Sequence, residues 1–393
     1  MTQKSLDAKL DRILADPSCK DFIIADAKDA DMAFGIASPG KSPEHHAQEG
    51  RFRSLDEYRE LIRQNVRQGL IDIMLVSCST NEVLTLQERL FERSHVTPAI
   101  RANDTTDIWL AQGSSYAKQP SQPFRSASID HAMCGKVQCE PHERALGADL
   151  GLYSITFNND LAADHRSLQA YKAFREEAEA KGFRHFLEVF DPNAVQAAIP
   201  DLGRFINDMI VRTLAGVAGK ARPLFLKMVY HGPAAMEQLV GYDRRLVVGI
   251  LGGSAGTTYD AFYQLWEAKK YGARVALYGR MINGAENQLA FIKHLRAVAD
   301  DQMKPDEAVR SYHADLRRLN LQPYRDLNDD LRSTQRVGAY SGSGPASATA
   351  VGSQAAGRSI PAAKNAEAGP DFSKMTNAEK IAWNQARWKR ILG

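Results

Sequence analysis

The chain of 393 residues has little cysteine: Cys19, Cys78, Cys134 and Cys139 are its only four. That is too few for a disulfide framework at this length. No window approaches the ~18 consecutive apolar residues of a membrane span. The first residues, MTQKSLDAKLDRIL, carry no apolar core of signal-peptide length. Charge of one sign is lacking too, since 50 Lys and Arg against 47 Asp and Glu leave +3, with both signs interspersed. No basic stripe interleaved with aromatics invites nucleic acid. These absences predict a soluble protein of the reducing cytoplasm, with neither nucleic acid nor membrane as a partner.

What is present is ordinary globular material. Apolar residues make up 44% and charged residues 25%, enough for a large core without staples. Short apolar runs at 22–26, 71–76, 97–102 (or 107–110), 150–157, 184–190, 224–230, 245–251 and 273–279 alternate with longer amphipathic stretches. Most runs are nearly continuous in apolar character, as strands buried on both faces of a parallel sheet are. Helices are expected over 54–68, 81–92, 164–181, 198–216, 257–271 and 284–299; in the first, Leu55, Tyr58, Leu61, Ile62 and Val66 follow the 3.6-residue period. Eight strands alternating with helices predict an α/β fold, a (β/α)8 TIM barrel over about 15–325. The rival, an open doubly wound sheet, lacks its Gly-x-Gly-x-x-Gly turn after the first strand. Two long polar excursions, 29–53 and 111–149, are candidate lids. Beyond them, 333–370 reads as a Ser/Gly/Ala-rich linker. The last stretch, 374–393, reads as a docking helix with a Thr376/Glu379 capping box. Its face of Ile381, Trp388 and Ile391 should dock on this subunit or on a neighbour, and a homo-oligomer is expected.

The candidate chemistry gathers at the carboxyl ends of the runs. Lys227 sits in the middle of LFLKMVY, where burial of an ammonium is costly. An amine there can attack a carbonyl and form a Schiff base; alternatively it is a strand-end lysine paired with a carboxylate. Glu188, inside FLEVF on the preceding run, is the obvious partner, either structural or as a general acid/base. Asp26 closes the first strand, with Lys28, Asp29 and Asp31 behind it; Lys28 and Asp31 also suit a solvated loop. Gly252-Gly253-Ser254 after the seventh run and Gly279-Arg280 after the eighth suit an anion held by backbone N–H groups and a guanidinium. Either glycine pair also serves simply to turn the chain. His231 is close enough to Lys227 to line a mouth. His131, Cys134, Cys139 and His142 have zinc-ligand chemistry, but their spacing matches no standard finger, so no metal is expected.

From Phe186 to Ala297 the chain resembles the class I, Schiff-base aldolases of the (β/α)8 barrel kind. It is similar to the bacterial tagatose-bisphosphate and the archaeal-type fructose-bisphosphate aldolases. Leu187-Glu188-Val189 resembles the fifth strand of the first branch, and Leu226-Lys227 resembles the strand carrying the Schiff-base lysine in both. Gly252-Gly253 and Gly279-Arg280 resemble the phosphate-binding turns of the second branch, and Asp26 its first-strand acid. The tyrosine acid/base of that branch falls at Phe190.

The resemblance implies a lyase needing no cofactor. It would cleave or join a phosphorylated ketose or keto acid, with Lys227 as nucleophile and Glu188 or Asp26 moving the proton. The phosphate would lie on Gly252, Gly253, Ser254, Gly279 and Arg280. Two rivals differ in kind. One is a metal-assisted lyase or isomerase using Asp26, Glu188 and His231. The other is a non-catalytic barrel that binds a sugar phosphate or a protein partner.

Overall fold

Each apolar run becomes a barrel strand. In the computed structural model, which describes residues 2–41, 52–109, 111, 113–253, 256–334 and 376, the strands are β1 (Ile23–Lys28), β2 (Ile73–Val76), β3 (Thr97–Arg101), β4 (Leu150–Thr156), β5 (Arg184–Phe190), β6 (Leu226–Met228), β7 (Gly249–Leu251) and β8 (Val275–Tyr278). They pair in parallel in chain order, and β8 returns to β1 to close the barrel. The expected (β/α)8 architecture is what the chain forms. The chain divides into two units, Met1–Val351 and Gly352–Gly393. The expected linker and docking helix lie outside the described residues except for residues 333, 334 and 376.

Side chains alternate along each strand, so the apolar residues sort into two sets. Ile24, Met74, Ile100, Tyr153, Leu187, Leu226, Val248 and Ala276 pack with residues of the surrounding helices. Ile23, Ala25, Leu75, Ala99, Leu152, Phe186, Phe225, Val247 and Leu277 pack with one another and fill the lumen. Leu6 and Leu10 of the helix Ser5–Ala15 join that lumen set and plug the amino-terminal end. This helix precedes residue 15, where the barrel was expected to begin.

The helices largely follow the amphipathic stretches. Leu55–Gln68 starts on a Ser54/Glu57 capping box and stops at Gly69 in the left-handed region. The stretch expected as a helix over 81–92 differs. Ser77 caps a short helix Cys78–Asn81 that widens into π-helical turns over Glu82–Gln87. The stretch at 284–299 also divides, into Arg280–Gly284 and Gln288–Ala299, because Asn287 caps a new start. Helices Pro233–Tyr242 and Pro305–Arg318, each opened by proline, complete the described shell. The alternative strand at 107–110 does not form: Asp107 and Ile108 lie in a turn.

Candidate active site

Parallel register sets the central row. Ser154 on β4, Glu188 on β5 and Lys227 on β6 are neighbours across three successive strands. Each lies two residues beyond a lumen residue (Leu152, Phe186 and Phe225), so all three point inward. Lys227 Nζ stands 2.5 Å from Glu188 Oε1, with both side chains buried. Ser154 Oγ donates to Glu188 Oε2 at 2.7 Å. Arg101, two residues beyond Ala99 on β3, donates through Nη1 to Ser154 Oγ at 2.9 Å and lies 3.5 Å from Glu188 Oε2. Its Nε meets Asp29 Oδ2 at 2.5 Å. The burial cost of Lys227 is thus offset by a carboxylate that is itself held from three sides.

Asp26 does not join this row. Three residues from Asp29 on a strand of period two, it shares the outward side with Ile24. Its partners all lie on that side: Asn65 Nδ2 donates to Oδ2 at 2.7 Å, and Lys28 Nζ stands 3.2 Å from Oδ1. Asn65 in turn reaches Gln288, and the Lys28 ammonium lies over the Tyr58 ring. Burial pushes the Asp26 carboxyl up and the Lys28 amine down, each against the attraction of the other. This pair belongs to the barrel–helix interface, and the residue β1 aims inward is Asp29. Asp31 accepts from Ser77 Oγ at 2.5 Å, just past the end of β2.

His231 Nε2 pairs with Asp191 Oδ1 at 2.8 Å, just past the ends of β6 and β5. Its buried Nδ1 has no hydrogen-bond partner among the described residues. The loop after β3 is pinned over the mouth by Asp107. That carboxylate accepts from Ser121 Oγ and from Thr156 Oγ1 at the end of β4, both at 2.8 Å. Asn193 fastens the same loop by donating to the Ala117 and Gln119 carbonyls. Of the other expected lid, 42–51 lies outside the described residues.

The expected anion turns are only partly available. A Cβ on Gly252 would fall 2.3 Å from the Tyr278 ring, and one on Gly279 2.8 Å from the Ala27 carbonyl oxygen, so packing alone requires both glycines. Gly253 has a φ of 53°, and Ser254 lies outside the described residues. Arg280 opens the short helix after β8. The helix Thr258–Lys270 does not offer the free N–H groups expected of it. Its start is closed by a Thr257/Asp260 box, and Thr258 N donates to Asp330 Oδ1 at 2.8 Å. The protein's own carboxylate stands where an anion would bind.

The His/Cys cluster is resolved differently. Cys134 and Cys139 form a disulfide, a bond a reducing compartment does not favour, and so present no thiolates. His131 Nδ1 meets Ser128 Oγ at 2.7 Å, and His142 is exposed. No group of three or more metal-ligating side chains is found among the described residues. No helix among them is long and apolar enough to cross a membrane.

Sequence reasoning paired Glu188 with Lys227 but missed Arg101, Ser154 and Asp191. Arg101 carried a usable signal, a lone charge ending the apolar run TPAI.

No protein-family model and no curated protein sequence matches the chain. Solved structures do match its fold. An archaeal fructose 1,6-bisphosphate aldolase is 15% identical, with 75% of this chain and 99% of that chain covered at a TM-score of 0.53. A Schiff-base-forming fructose-1,6-bisphosphate aldolase is 16% identical, with 76% and 100% covered at 0.53. The fructose-bisphosphate aldolase of Slackia heliotrinireducens is 13% identical, with 75% and 85% covered at 0.54. At these identities the likeness is one of fold: the chain shares its barrel with Schiff-base and archaeal-type aldolases.

Proposed function

We infer that the chain is a class I aldolase acting on a phosphorylated ketose or keto acid. The observation that carries this reading is the ion pair of Lys227 and Glu188 in the lumen, with Nζ 2.5 Å from Oε1. As the carbonyl arrives, Glu188 accepts a proton from the ammonium, and the free amine adds to the carbonyl carbon. The carbinolamine then loses water to give an iminium. In the cleavage direction the β-hydroxyl proton passes to a base and the carbon–carbon electron pair moves into the iminium. An aldehyde leaves, and an enamine remains to be protonated and hydrolysed. Glu188 is placed to move protons at nitrogen, with Arg101 and Ser154 fixing its orientation. His231, oriented by Asp191, is a further proton carrier near the mouth, where Phe190 has no hydroxyl to offer. Gly253, Arg280 and Ser254, alongside Gly252 and Gly279, would hold a phosphate.

The metal-assisted reading is less well served. It needs Asp26, Glu188 and His231 to converge, but Asp26 faces the helices and His231 is bound to Asp191. Turnover is tested by following aldehyde release from a panel of phosphorylated ketoses and 4-hydroxy-2-keto acids. Release that disappears in a folded Lys227→Met variant supports the aldolase; undiminished release in that variant overturns it.

A further inference from the structure

An apolar layer lies below the polar row, and an apolar wall from β5, β6 and β7 rises above it and bears on the substrate. Two residues beyond Glu188, Lys227 and Gly249 come Phe190, Val229 and Leu251, which therefore also face the lumen. They pack into a separate cluster with Ala33 and Ile108 from the loops after β1 and β3, and Phe34 lies against it. None of the five is more than 5% exposed. Below the polar row the lumen is filled by Ala99, Leu152, Phe186 and Phe225. A carbonyl compound therefore reaches Lys227 Nζ from above, between Phe190, Val229 and Leu251. Ala33, Phe34 and Ile108, from the loops after β1 and β3, pack over that approach.

We propose that the substrate carries an apolar substituent, a branched alkyl or aryl group, beside the carbonyl that Lys227 attacks. This rests on the reading of Lys227 as nucleophile and narrows its substrate class. A polyhydroxylated chain lying against Phe190, Val229 and Leu251 would meet no polar side-chain atom on that side of the lumen, and Thr156, level with Phe190 on β4, already spends its hydroxyl on Asp107. An alkyl or aryl group gains by the same burial. The closure of the Thr258–Lys270 helix start by Asp330 agrees with a departure from a bisphosphate sugar.

The test uses the full chain and two near-isosteric keto acids, 4-methyl-2-oxopentanoate and 2-oxosuccinamate. Each is titrated in the presence of cyanoborohydride, which delivers hydride to the iminium and leaves a secondary amine readable by intact mass. The proposal expects half-maximal trapping on Lys227 at a concentration at least ~tenfold lower for the branched alkyl probe. Val229→Thr, nearly isosteric, should shrink that ratio, and Phe190→Tyr serves as the second variant if the first folds poorly. Trapping on Lys227 with equal or reversed preference overturns the apolar-substituent proposal and leaves the nucleophile standing. No trapping on Lys227 with either probe overturns the nucleophile reading and the proposal with it.

Discussion

Asp26 and Asp29 lie three residues apart on and just past the same strand and serve opposite sides of it. The first is bound to Asn65 and Lys28 against the helices, and the second is bound to Arg101 in the lumen. An odd spacing in a period-two element separates them. Separate consequences of losing each should follow.

Lys28→Met should leave Asp26 buried without its cation and lower unfolding free energy by about 3 kcal/mol. Covalent trapping at Lys227 should be unchanged per folded molecule. Asp29→Asn, in contrast, should slow trapping per folded molecule, because Arg101 loses the carboxylate that aims it at Glu188. Urea unfolding and trapping rates, measured on both variants, check this. Normal stability with abolished trapping in Lys28→Met would place the outer pair in the active site after all.

Glu188→Gln keeps the shape of the side chain but removes the proton acceptor beside Lys227. Trapping per folded molecule should slow by roughly a hundredfold or more, and the melting temperature should fall as well, because Lys227 loses its buried counter-ion. Stopped-time mass measurements decide it. A rate unaffected by Glu188→Gln would reduce Glu188 to a structural counter-ion.

The carboxylate of Asp330 joins three elements. It accepts from Thr258 N, and its other oxygen meets His313 Nε2 at 2.9 Å. Two residues on, the Arg332 carbonyl accepts from Thr257 Oγ1, and Thr334 N donates to Asp260. Asp330→Ala should cost about 2 kcal/mol through the lost cap and the orphaned donors. Truncation after residue 334 should spare these contacts, whereas truncation after 325 should not. Equal melting temperatures for the two truncations would show that the 326–334 segment does not secure the barrel.

How much of this was legible in the sequence depended on distance along the chain. All eight strands could be read because strands buried on both sides are apolar throughout. The Glu188–Lys227 pair showed because each charge interrupts such a run on adjacent strands. The side of β1 was not legible. Phe22, Ile23, Ile24 and Ala25 are all apolar, so no alternation told Asp26 from Asp29. The Asp330 cap joins residues 72 apart, beyond the reach of local capping rules. Arg101 stood at the edge of the one strand with a rival placement.

His185 sets a pH dependence of stability. It is buried on the outer side of β5, with Nε2 2.9 Å from Tyr171 Oη, and burial pushes its pKa down to about 3. Below about pH 6.5 the unfolded chain takes up a proton that the folded protein refuses. Stability is therefore complete above that pH and is lost progressively as pH falls from 6.5 towards 3. At pH 5 the loss should be about 2 kcal/mol. Urea midpoints at pH 7.5 and 5 for wild type and His185→Gln check it. The contribution is absent if both proteins lose stability equally.

The most direct measurement is the mass of the Lys227 peptide after the full-length protein is treated with borohydride and a keto compound. One adduct per chain is expected, on Lys227, absent in Lys227→Met and slowed in Glu188→Gln. An adduct on Lys28 instead, or no adduct with any ketone at millimolar concentration, would contradict it.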